Sequence, residues 1–435
     1  MRAFSLLTFG LLLFTSLLAE TFDIADFGAR EGDRLQTRAI QAAIDAACAA
    51  GGGEVVVPAG VYRTGGIRLR TNVTLHLLSG ATLEGSRDPA DYGLSLDDTV
   101  EPTARRRWNN ALIRAVGERD VAIVGEPHST IDGMNCYDAQ GEEGYRGPHA
   151  IGFWCCTNVT FRGYTVRNSA NWAHNLVKCR DLRVEFVRVC GGHDGLDIHC
   201  CADVSVSNCT FLTGDDGLAG FGNRRVTVRD CLFASSCNAF RFGGTDCLFE
   251  RCRTEGDAPF GHRYGLNAEE RRLGLNHGEA LRHGGNVFSY YCDARWGDIP
   301  RPGNLVFRDC DFNGPGRFFI SEYDPKSRWC CHRPLSSVRF ENCRIRGVKE
   351  RSVIFAGVED LLVFEMKDCV VTPSEGGGGE PLAEARDCGR IVLDNVRIEG
   401  FRKPEIVAHT PVAVEVRGGT PVTVNRGKSN QGKDR

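Results

Sequence analysis

The chain has 435 residues, 42% hydrophobic and 25% charged, a composition that excludes an intrinsically disordered protein and one built throughout from membrane spans. Its 53 Lys and Arg residues nearly balance its 56 Asp and Glu residues, and the net charge of -3 provides no basic field for nucleic acid or an anionic membrane. The 52 glycines and only 3 methionines indicate a turn-rich chain that is mostly β structure.

The N-terminal segment is typical of a secretory signal peptide. Arg2 is followed by an apolar run from Leu6 to Leu18 and then by the small Ala19. No later stretch reaches the roughly 18 apolar residues that a membrane-spanning helix needs. We therefore expect a signal peptide at residues 1–19, no membrane span, and a mature protein that is secreted or periplasmic.

Cysteines recur about every 22 residues through the middle of the chain. Two series follow this spacing: Cys156, Cys179 and Cys201, and then Cys209, Cys231 and Cys252. The segments around them carry Asn, Asp or Arg followed by alternating apolar residues, without helical periodicity. A period of roughly 20 to 30 residues built from such runs is typical of a parallel β-helix.

The sequence thus predicts an all-β protein, a single-stranded right-handed parallel β-helix (solenoid) of roughly ten coils over residues 20–426. Residues 35–50 have apolar side chains at helical spacing before three glycines, which predicts an N-terminal capping helix. Residues 427–435 are polar and basic, and are expected to form a disordered tail. Stacked coils would hold the cysteines mostly as free, buried thiols, although adjacent pairs such as Cys155-Cys156 leave a few candidates for disulfides.

Three aspartates form the densest acidic group. Asp194 and Asp215 are 21 residues apart, so neighbouring coils would place them side by side, with Asp216 adjacent. Like charges this close raise at least one pKa, and hydrolysis of a glycosidic bond needs a protonated acid beside ionised partners. Asp and Gly also stabilise turns, the interpretation favoured for Asp197, and a carboxylate cluster alternatively binds calcium.

Several motifs are shared with a known family. They are Phe22-Asp23-Ile24-Ala25-Asp26-Phe27-Gly28-Ala29, Asn168-Ser169 with Trp172, Gly192-His193-Asp194 in place of Asn-Thr-Asp, and Gly214-Asp215-Asp216. On these motifs the chain resembles the polygalacturonases, glycoside hydrolase family twenty-eight, among the pectin-degrading β-helix proteins. It departs from the family where Cys237-Asn238-Ala239 replaces Gly-His-Gly, and in lacking the Arg-Ile-Lys that should follow.

The resemblance implies that Asp215 is the general acid, while Asp194 and Asp216 hold and activate a water in an inverting mechanism. Inversion leads us to expect roughly 6.5 to 9.5 Å between Asp215 and the other two carboxyl groups. We expect no cofactor and no metal at the site, because no nucleotide-binding motif and no Cys/His zinc spacing is found.

Further residues are predicted to contact a sugar. Trp172 and His174 precede the acidic coils by one coil, although packing explains the Trp equally well; His193 and Asn238 are possible replacements for the family's His. Arg241 and the cations of a polar loop replace the missing Arg and Lys. The complete set is Trp172, His174, His193, Asn238, Arg241, Tyr323, Lys326 and Arg328.

The leading hypothesis is a secreted, monomeric glycoside hydrolase of pectic poly- or oligosaccharides of the plant cell wall. The irregular residues 256–301 are expected to block one end of the cleft and favour exo-action. Two alternatives stay open: a polysaccharide lyase that uses calcium, and a noncatalytic carbohydrate-binding β-helix.

Overall fold

The computed structural model describes residues 20–93, 110–137, 146–256, 259–261, 285–290, 301–321, 334–355 and 362–427. Within these residues every strand pairs in parallel with strands of neighbouring coils. The fold is the right-handed parallel β-helix predicted from the sequence. The predicted signal peptide lies outside the described residues, as does nearly all of the predicted tail.

The helices and strands follow one another in chain order with short connections. They are β1 (Thr21–Asp23), α1 (Thr37–Ala49), β2 (Gly53–Val57), β3 (Gly60–Thr64), β4 (Ile67–Arg68), β5 (Val73–Leu77), β6 (Ala81–Gly85), a 3-10 helix (Pro89–Tyr92), β7 (Ala111–Val116), β8 (Arg119–Gly125), β9 (Thr130–Asp132), β10 (His149–Trp154), β11 (Thr157–Arg162), β12 (Thr165–Arg167), β13 (His174–Val177), β14 (Arg180–Glu185), β15 (Arg188–Gly191), β16 (Leu196–His199), β17 (Ala202–Ser207), β18 (Thr210–Thr213), β19 (Leu218–Arg229), β20 (Leu232–Ser235), β21 (Asn238–Glu250), β22 (Arg253–Glu255), β23 (Asn286–Tyr290), β24 (Gly303–Arg308), β25 (Asp311–Asn313), β26 (Phe319–Ser321), β27 (Ser337–Glu341), β28 (Arg344–Val348), β29 (Ser352–Phe355), β30 (Val363–Lys367), β31 (Val370–Pro373), β32 (Ala383–Arg386), β33 (Arg390–Ile398), β34 (Glu405–Ala408), β35 (Ala413–Gly419) and β36 (Thr423–Arg426).

Three parallel sheets run along the axis of the solenoid. The first begins with β1, β2 and β5, and the second with β3, β6 and β9. The third consists of β4, β7, β10, β13, β16, β19, β21, β23, β26, β29, β32, β34 and β36. These thirteen strands, counted over the described residues, exceed the roughly ten coils expected, because the cysteine pattern that defines a coil is missing from the end coils.

Helix α1 covers the N-terminal coil, as the sequence predicts. Its buried residues Ile40, Ala43, Ile44 and Ala47 form the apolar stripe, and the helix contacts β1, β2, β4 and β5. The helix spans Thr37–Ala49, slightly less than the predicted residues 35–50, because Leu35 lies outside it and is 44% exposed. This cap shields the first coil from water.

The Asn, Asp and Arg residues that open each repeat have a conformational role. The corner that leads into the first sheet has a positive φ, which Asn and Asp tolerate better than most other side chains. Positive values of 52–59° occur at Asn158, Asp181, Asp203, Arg225, Asp246 and Asn304. The repeated Asn, Asp or Arg therefore marks the position of a corner in each coil of the solenoid.

Inside the solenoid, aromatic rings and thiols stack from coil to coil. Phe307 stacks on Phe249 with ring centroids 4.4 Å apart, and on Phe340 at 4.9 Å. Cys156, Cys179 and Cys201 are fully buried, and the amide of Cys156 donates to the Sγ of Cys179. The cysteines of the two series, Cys156, Cys179, Cys201, Cys209, Cys231 and Cys252, are free thiols, as expected for most of the cysteines.

In both pairs of adjacent cysteines that the structure describes, the two side chains differ in their exposure to solvent. Cys155 is exposed while Cys156 is buried, and Cys200 is half-buried while Cys201 is buried. This is the inward and outward alternation expected from the sequence. Among the described residues no helix is long and apolar enough to cross a membrane.

Candidate active site

The acidic residues lie at the start of neighbouring strands in the third sheet. Leu196 of β16 pairs with Leu218 of β19, so Asp194 and Asp216, two residues before each, are equivalent in successive coils. The backbone N–H of Asp216 donates to Asp194 Oδ1 at 3.2 Å. The equivalent of Asp194 in the next coil is Asp216 and not Asp215, because the coil here is 22 residues long and not 21; Asp215 precedes Asp216 in the same turn, and its charge acts on Asp194.

Close packing of the backbone fixes the turn that carries Asp215 and Asp216. A Cβ at Gly214 would lie 2.1 Å from the carbonyl oxygen of Gly261, and one at Gly217 would lie 2.7 Å from the ring of Phe233. Two hydroxyl groups, those of Thr213 and Ser235, donate to the Asp215 carbonyl at 2.8 and 2.6 Å. Both glycines of the motif are therefore required by space.

Side-chain donors hold both carboxylate oxygens of Asp216. The Nε of Arg241 donates to Oδ2, and the Nδ2 of Asn238 donates to Oδ1 at 2.6 Å. The Arg241 guanidinium lies 5.4 Å above the ring of Phe221, and its Nη2 is 4.0 Å from Asp194 Oδ2. Arg241 thus neutralises part of the charge of two buried carboxylates.

A second arginine, Arg146, was missed in the sequence analysis and lies beside Asp215. Arg146 is 8% exposed; its Nη1 is 3.9 Å from Asp215 Oδ2 and 3.4 Å from His193 Nδ1. No sequence signal marks Arg146, because it belongs to none of the repeats.

The three carboxyl groups differ in their access to solvent. The side chain of Asp215 is 14% exposed, whereas those of Asp194 and Asp216 are 1% and 2% exposed. A substrate approaching from outside therefore meets Asp215 before the other two.

Burial and mutual repulsion alter the acidity of the site. Burial, aided by the charges of Asp215, Asp197 and Asp216, raises the pKa of Asp194 well above its ordinary value. Burial also raises the pKa of Asp216 to about 6, although Arg241 opposes the rise. The site therefore retains protons at a pH where ordinary carboxyl groups have lost them.

The spacing of the carboxylates is shorter than expected. One oxygen of Asp215, one of Asp216 and the Sγ of Cys237 all lie within 4.8 Å of one another. The separation of roughly 6.5 to 9.5 Å predicted for inversion is therefore wrong for the pair Asp215 and Asp216.

His174 is not part of the site, which corrects the sequence prediction. Its ring lies inside the solenoid with no exposed surface, in contact with the Tyr164 hydroxyl and the Gly195 carbonyl at 3.1 Å each. Burial lowers the pKa of His174 to about 4, so the ring is a neutral core residue. His174 pairs with Leu196, and this register makes both side chains point inward.

Other predicted sugar contacts have protein neighbours. Trp172 is 8% exposed and packs against the rings of His149 and His199, with centroids 5.3 and 5.9 Å away. His193 is buried beside Arg146, and Asn238 accepts from Asn286 at 2.8 Å while donating to Asp216. The remaining predicted contacts, Tyr323, Lys326 and Arg328, lie outside the described residues, as does most of the segment 256–301.

Asp197 is more than the turn residue expected from the sequence. It is fully buried on β16, and its Oδ1 lies 3.2 Å from His199 Nε2. Its charge is one of those that raise the pKa of Asp194. The contact between Asp197 and His199 could have been predicted from the alternation of side chains along a strand, because residues two apart lie on the same face.

Comparisons with known proteins agree with this architecture. The family model described as "Right handed beta helix region" matches residues 149–289, which include all three aspartates. The surface adhesin PfbA of Streptococcus pneumoniae shares the fold, with a TM-score of 0.57 and 16% identity over 93% of this chain and 92% of that chain. The protein is therefore a right-handed β-helix protein with a buried carboxylate cluster on one sheet.

Its named relatives in sequence confirm the resemblance to polygalacturonases. An exo-poly-alpha-D-galacturonosidase of Dickeya chrysanthemi is 47% identical over 267 residues, covering 48% of this chain and 43% of the relative. A probable polygalacturonase of Vitis vinifera is 27% identical over 221 residues, covering 47% and 45%. The chain spans less than half the length of these two relatives.

The raised pKa values of Asp194 and Asp216 predict how stability depends on pH. A carboxyl group whose pKa is higher in the folded state stabilises the fold at low pH, and this stabilisation is lost as the pH rises through the folded pKa. The Asp194→Asn variant has no carboxyl group to ionise at this position, so it does not lose this stabilisation as the pH rises. We expect its melting temperature, relative to wild type, to rise by at least about 2 °C between pH 4 and pH 7.

Asp203→Asn is the matched control, because Arg225 lowers the pKa of that exposed carboxyl group. Its melting temperature relative to wild type should fall, or stay level, over the same range. Thermal unfolding followed by circular dichroism measures both, and parallel curves for Asp194→Asn and wild type would contradict the expected burial penalty.

Proposed function

We propose that the protein is a glycoside hydrolase that acts on pectin-related poly- or oligosaccharides outside the cytoplasm. The observation that carries the proposal is the arrangement of the aspartates: two buried carboxyl groups with raised pKa values behind a third, more exposed one. The polygalacturonase names of its relatives support the substrate class.

In the proposed reaction, Asp215 protonates the glycosidic oxygen as the bond to the anomeric carbon breaks. Asp194 and Asp216 orient a water and accept its proton as the hydroxyl oxygen bonds to that carbon. One proton is given and one is taken, so solvent exchange restores the starting state. Asp215 suits the acid role because it is the most exposed of the three, so that a glycosidic oxygen reaches it before the two buried carboxyl groups.

Two arginines make the site compatible with an acidic sugar. Arg241 offsets the charge of Asp216 and Asp194, while Arg146 brings a positive charge beside Asp215. Neither occupies the place of the family's missing Arg-Ile-Lys. A galacturonosyl carboxylate bound near Arg146 would give this arginine the negatively charged partner that Asp215 provides in the protein without substrate.

Exo-action is part of the proposal. It is supported by the Dickeya chrysanthemi relative, whose name describes an exo-acting enzyme. The expected block of the cleft by residues 256–301 falls almost wholly outside the described residues and adds nothing to this support.

The calcium-dependent lyase is less well supported. The only group of possible ligands found among the described residues is Asp215, Asp216 and Cys237. A thiol is a soft ligand, whereas calcium binds oxygen atoms. A lyase would form an unsaturated product that absorbs ultraviolet light and would stop when a chelator is added, so both readouts belong in every assay.

Loss of the proposed acid should abolish turnover. Asp215→Asn should lower kcat on the best pectic substrate at least about a hundredfold, since a general acid contributes 10² to 10⁴. Its melting temperature should stay close to wild type because Asp215 lies partly in solvent. Reducing-end release from homogalacturonan, rhamnogalacturonan and aryl glycosides measures this.

Asp230→Asn is the control for that experiment, because Asp230 pairs with Arg251 on the surface and should be dispensable. Full activity in Asp215→Asn would exclude the acid role. Binding without hydrolysis by the wild type on every substrate would instead favour the noncatalytic alternative.

The anomeric configuration of the first product is expected to be inverted. The short carboxylate spacing does not by itself favour this outcome, but the buried Asp216 has both oxygens occupied by Asn238 and Arg241 and is poorly placed as a nucleophile. Proton magnetic resonance during the first minutes of hydrolysis distinguishes the anomers. A retained product would show that a carboxylate attacks the sugar directly.

The chain-end preference gives a further test. If cleavage starts at chain ends, the viscosity of polygalacturonate should fall slowly relative to the number of reducing ends formed. Parallel measurement of viscosity and reducing ends on one sample decides the question, with a commercial endo-acting enzyme as the comparison. Rapid viscosity loss would indicate internal cutting and would overturn the exo assignment.

A further inference from the structure

Three polar side chains stand at the same position in three successive coils. Asp216 precedes β19 by two residues, Asn238 opens β21 and Asn286 opens β23. The register pairs Asn238 with Asn286, and it pairs Leu218 with Phe240, which makes Asp216 the equivalent of Asn238. Stacking at about 4.8 Å therefore brings one carboxyl group and two amides into a single row.

Hydrogen bonds connect these three side chains. Asn286 Nδ2 donates to Asn238 Oδ1 at 2.8 Å, and Asn238 Nδ2 donates to Asp216 Oδ1 at 2.6 Å. The same nitrogen of Asn238 also donates to the Sγ of Cys237 at 3.3 Å. Asn238 is 2% exposed, and its amide oxygen and nitrogen both have partners. We call the two asparagines, Asn238 and Asn286, the amide row.

The chemistry of the groups fixes the orientation of both amides. An ionised carboxylate only accepts hydrogen bonds, so Asn238 must turn its nitrogen toward Asp216 and its oxygen toward Asn286. Asn286 must then present its nitrogen, because two amide oxygens would repel each other. The N–H of Asn286 therefore selects the orientation of Asn238 that favours a negative charge on Asp216.

A glycine lets Asn286 approach the preceding coil. A Cβ at Gly285 would lie 1.6 Å from the carbonyl oxygen of Cys237, so a larger residue would force the two coils apart. The backbone N–H of Asn286 donates to the same carbonyl oxygen at 2.8 Å. This close approach places the side chain of Asn286 within hydrogen-bonding distance of Asn238.

Other charged and titratable groups face Asp216 from its own coil and from both neighbouring coils. Asp194 lies in the preceding coil and Asp215 in the same turn, while Arg241 and the thiol of Cys237 belong to the following coil. Burial raises the pKa of Asp216 to about 6 against the opposing charge of Arg241; Asp215 adds to the rise, and the amide donor opposes it. Above that pH each carboxylate oxygen accepts one side-chain donor and keeps a second lone pair for a water.

We propose that Asn286 is a positioning residue of the active site: through Asn238 it holds Asp216 ionised and oriented, and Asp216 is the base that takes the proton of the attacking water. An O–H bond of the water breaks as its oxygen bonds to the anomeric carbon, and the proton moves to Asp216. Asp215 meanwhile gives its own proton to the leaving oxygen.

This assignment divides the roles of the two buried aspartates, and it rests on the proposed hydrolase function. The oxygens of Asp194 have weaker donors than those of Asp216: a backbone N–H at 3.2 Å from Oδ1 and a guanidinium nitrogen of Arg241 at 4.0 Å from Oδ2. Asp194 therefore orients the water, and Asp216 accepts its proton.

Removal of the donor tests the amide row. Asn286→Leu has no side-chain N–H at similar volume, so Asn238 loses its fixed orientation and the ionised form of Asp216 becomes less stable. The pKa of Asp216 should rise, and a base with a higher pKa moves the acidic limb of the kcat profile to higher pH, by about half a unit or more. KM should stay within about twofold, because the change affects the base and not the bound sugar.

A second variant separates the amide row from a simple effect of charge. The carboxylate of Asn286→Asp attracts the nitrogen of Asn238 and turns the amide oxygen toward Asp216, so the acidic limb should move up by about one unit or more. In the Asn238→Ala background the same substitution acts only through its charge, and the additional shift should be less than half as large. Equal shifts in both backgrounds would show that Asn238 transmits nothing, and would overturn the proposal.

Asn342→Asp is the matched control for these profiles. Asn342 donates to Asp309 at 2.6 Å, an amide–carboxylate pair of the same kind on the exposed surface. Its substitution should leave the pH profile of kcat at the wild-type position. A profile of Asn286→Leu that also coincides with wild type would reject the role of Asn286.

Melting temperatures without substrate keep this inference separate from the proposed function. A carboxyl group with a raised folded-state pKa stabilises the fold at low pH, and this stabilisation is lost as the pH rises through that pKa. Asn286→Leu raises the pKa of Asp216 further, so its melting temperature relative to wild type should fall by about 1 °C or more between pH 5 and pH 8. A fall without hydrolysis of any pectic substrate would support the amide row and reject the hydrolase. A level difference would reject the amide row, whatever the activity.

Discussion

The parallel register between successive coils is the constraint on which the rest of the structure depends. Each residue lies about 4.8 Å from its equivalent in the next coil. Each side chain must therefore pack against the side chains at the same position in the coils on either side. Inside the solenoid the rows are thiols and phenyl rings, which accept identical neighbours at this distance. On the outer face the same rule brings Asp194 beside Asp216, where identical neighbours repel.

The repulsion between the two carboxylates is offset by residues of the following coil. Asn238 and Arg241, one coil beyond Asp216, supply the donors and the positive charge that two buried carboxylates need. Arg146 adds a second positive charge from outside the repeat. The unusual acidity of the aspartates is thus a property of the stacked rows, and the glycines around Asp215 hold the turn that lets a third carboxyl group join them.

The fold could be predicted from the sequence because its signals are local and repeated. The cysteine spacing, the Asn and Asp corners and the apolar stripe of α1 each reflect a short-range requirement. The site was predicted less completely. His174 looked like a surface residue until the register showed that it points inward, and Arg146 and the contact between Asp197 and His199 depend on how coils meet in space. One residue of difference in coil length was enough to exchange Asp215 for Asp216 as the neighbour of Asp194.

The buried thiol rows also bear on how the chain reaches its folded state. In the finished solenoid Cys179 and Cys209 are closed off from solvent, and an oxidant has no route to them. Before the coils have stacked, the same sulfurs are open, and a disulfide formed then would fix two coils before their register is set. Stacking of each new coil on its predecessor would therefore protect the sulfurs from oxidation, and growth of the solenoid from the end covered by α1 would bury the thiols of each row one at a time.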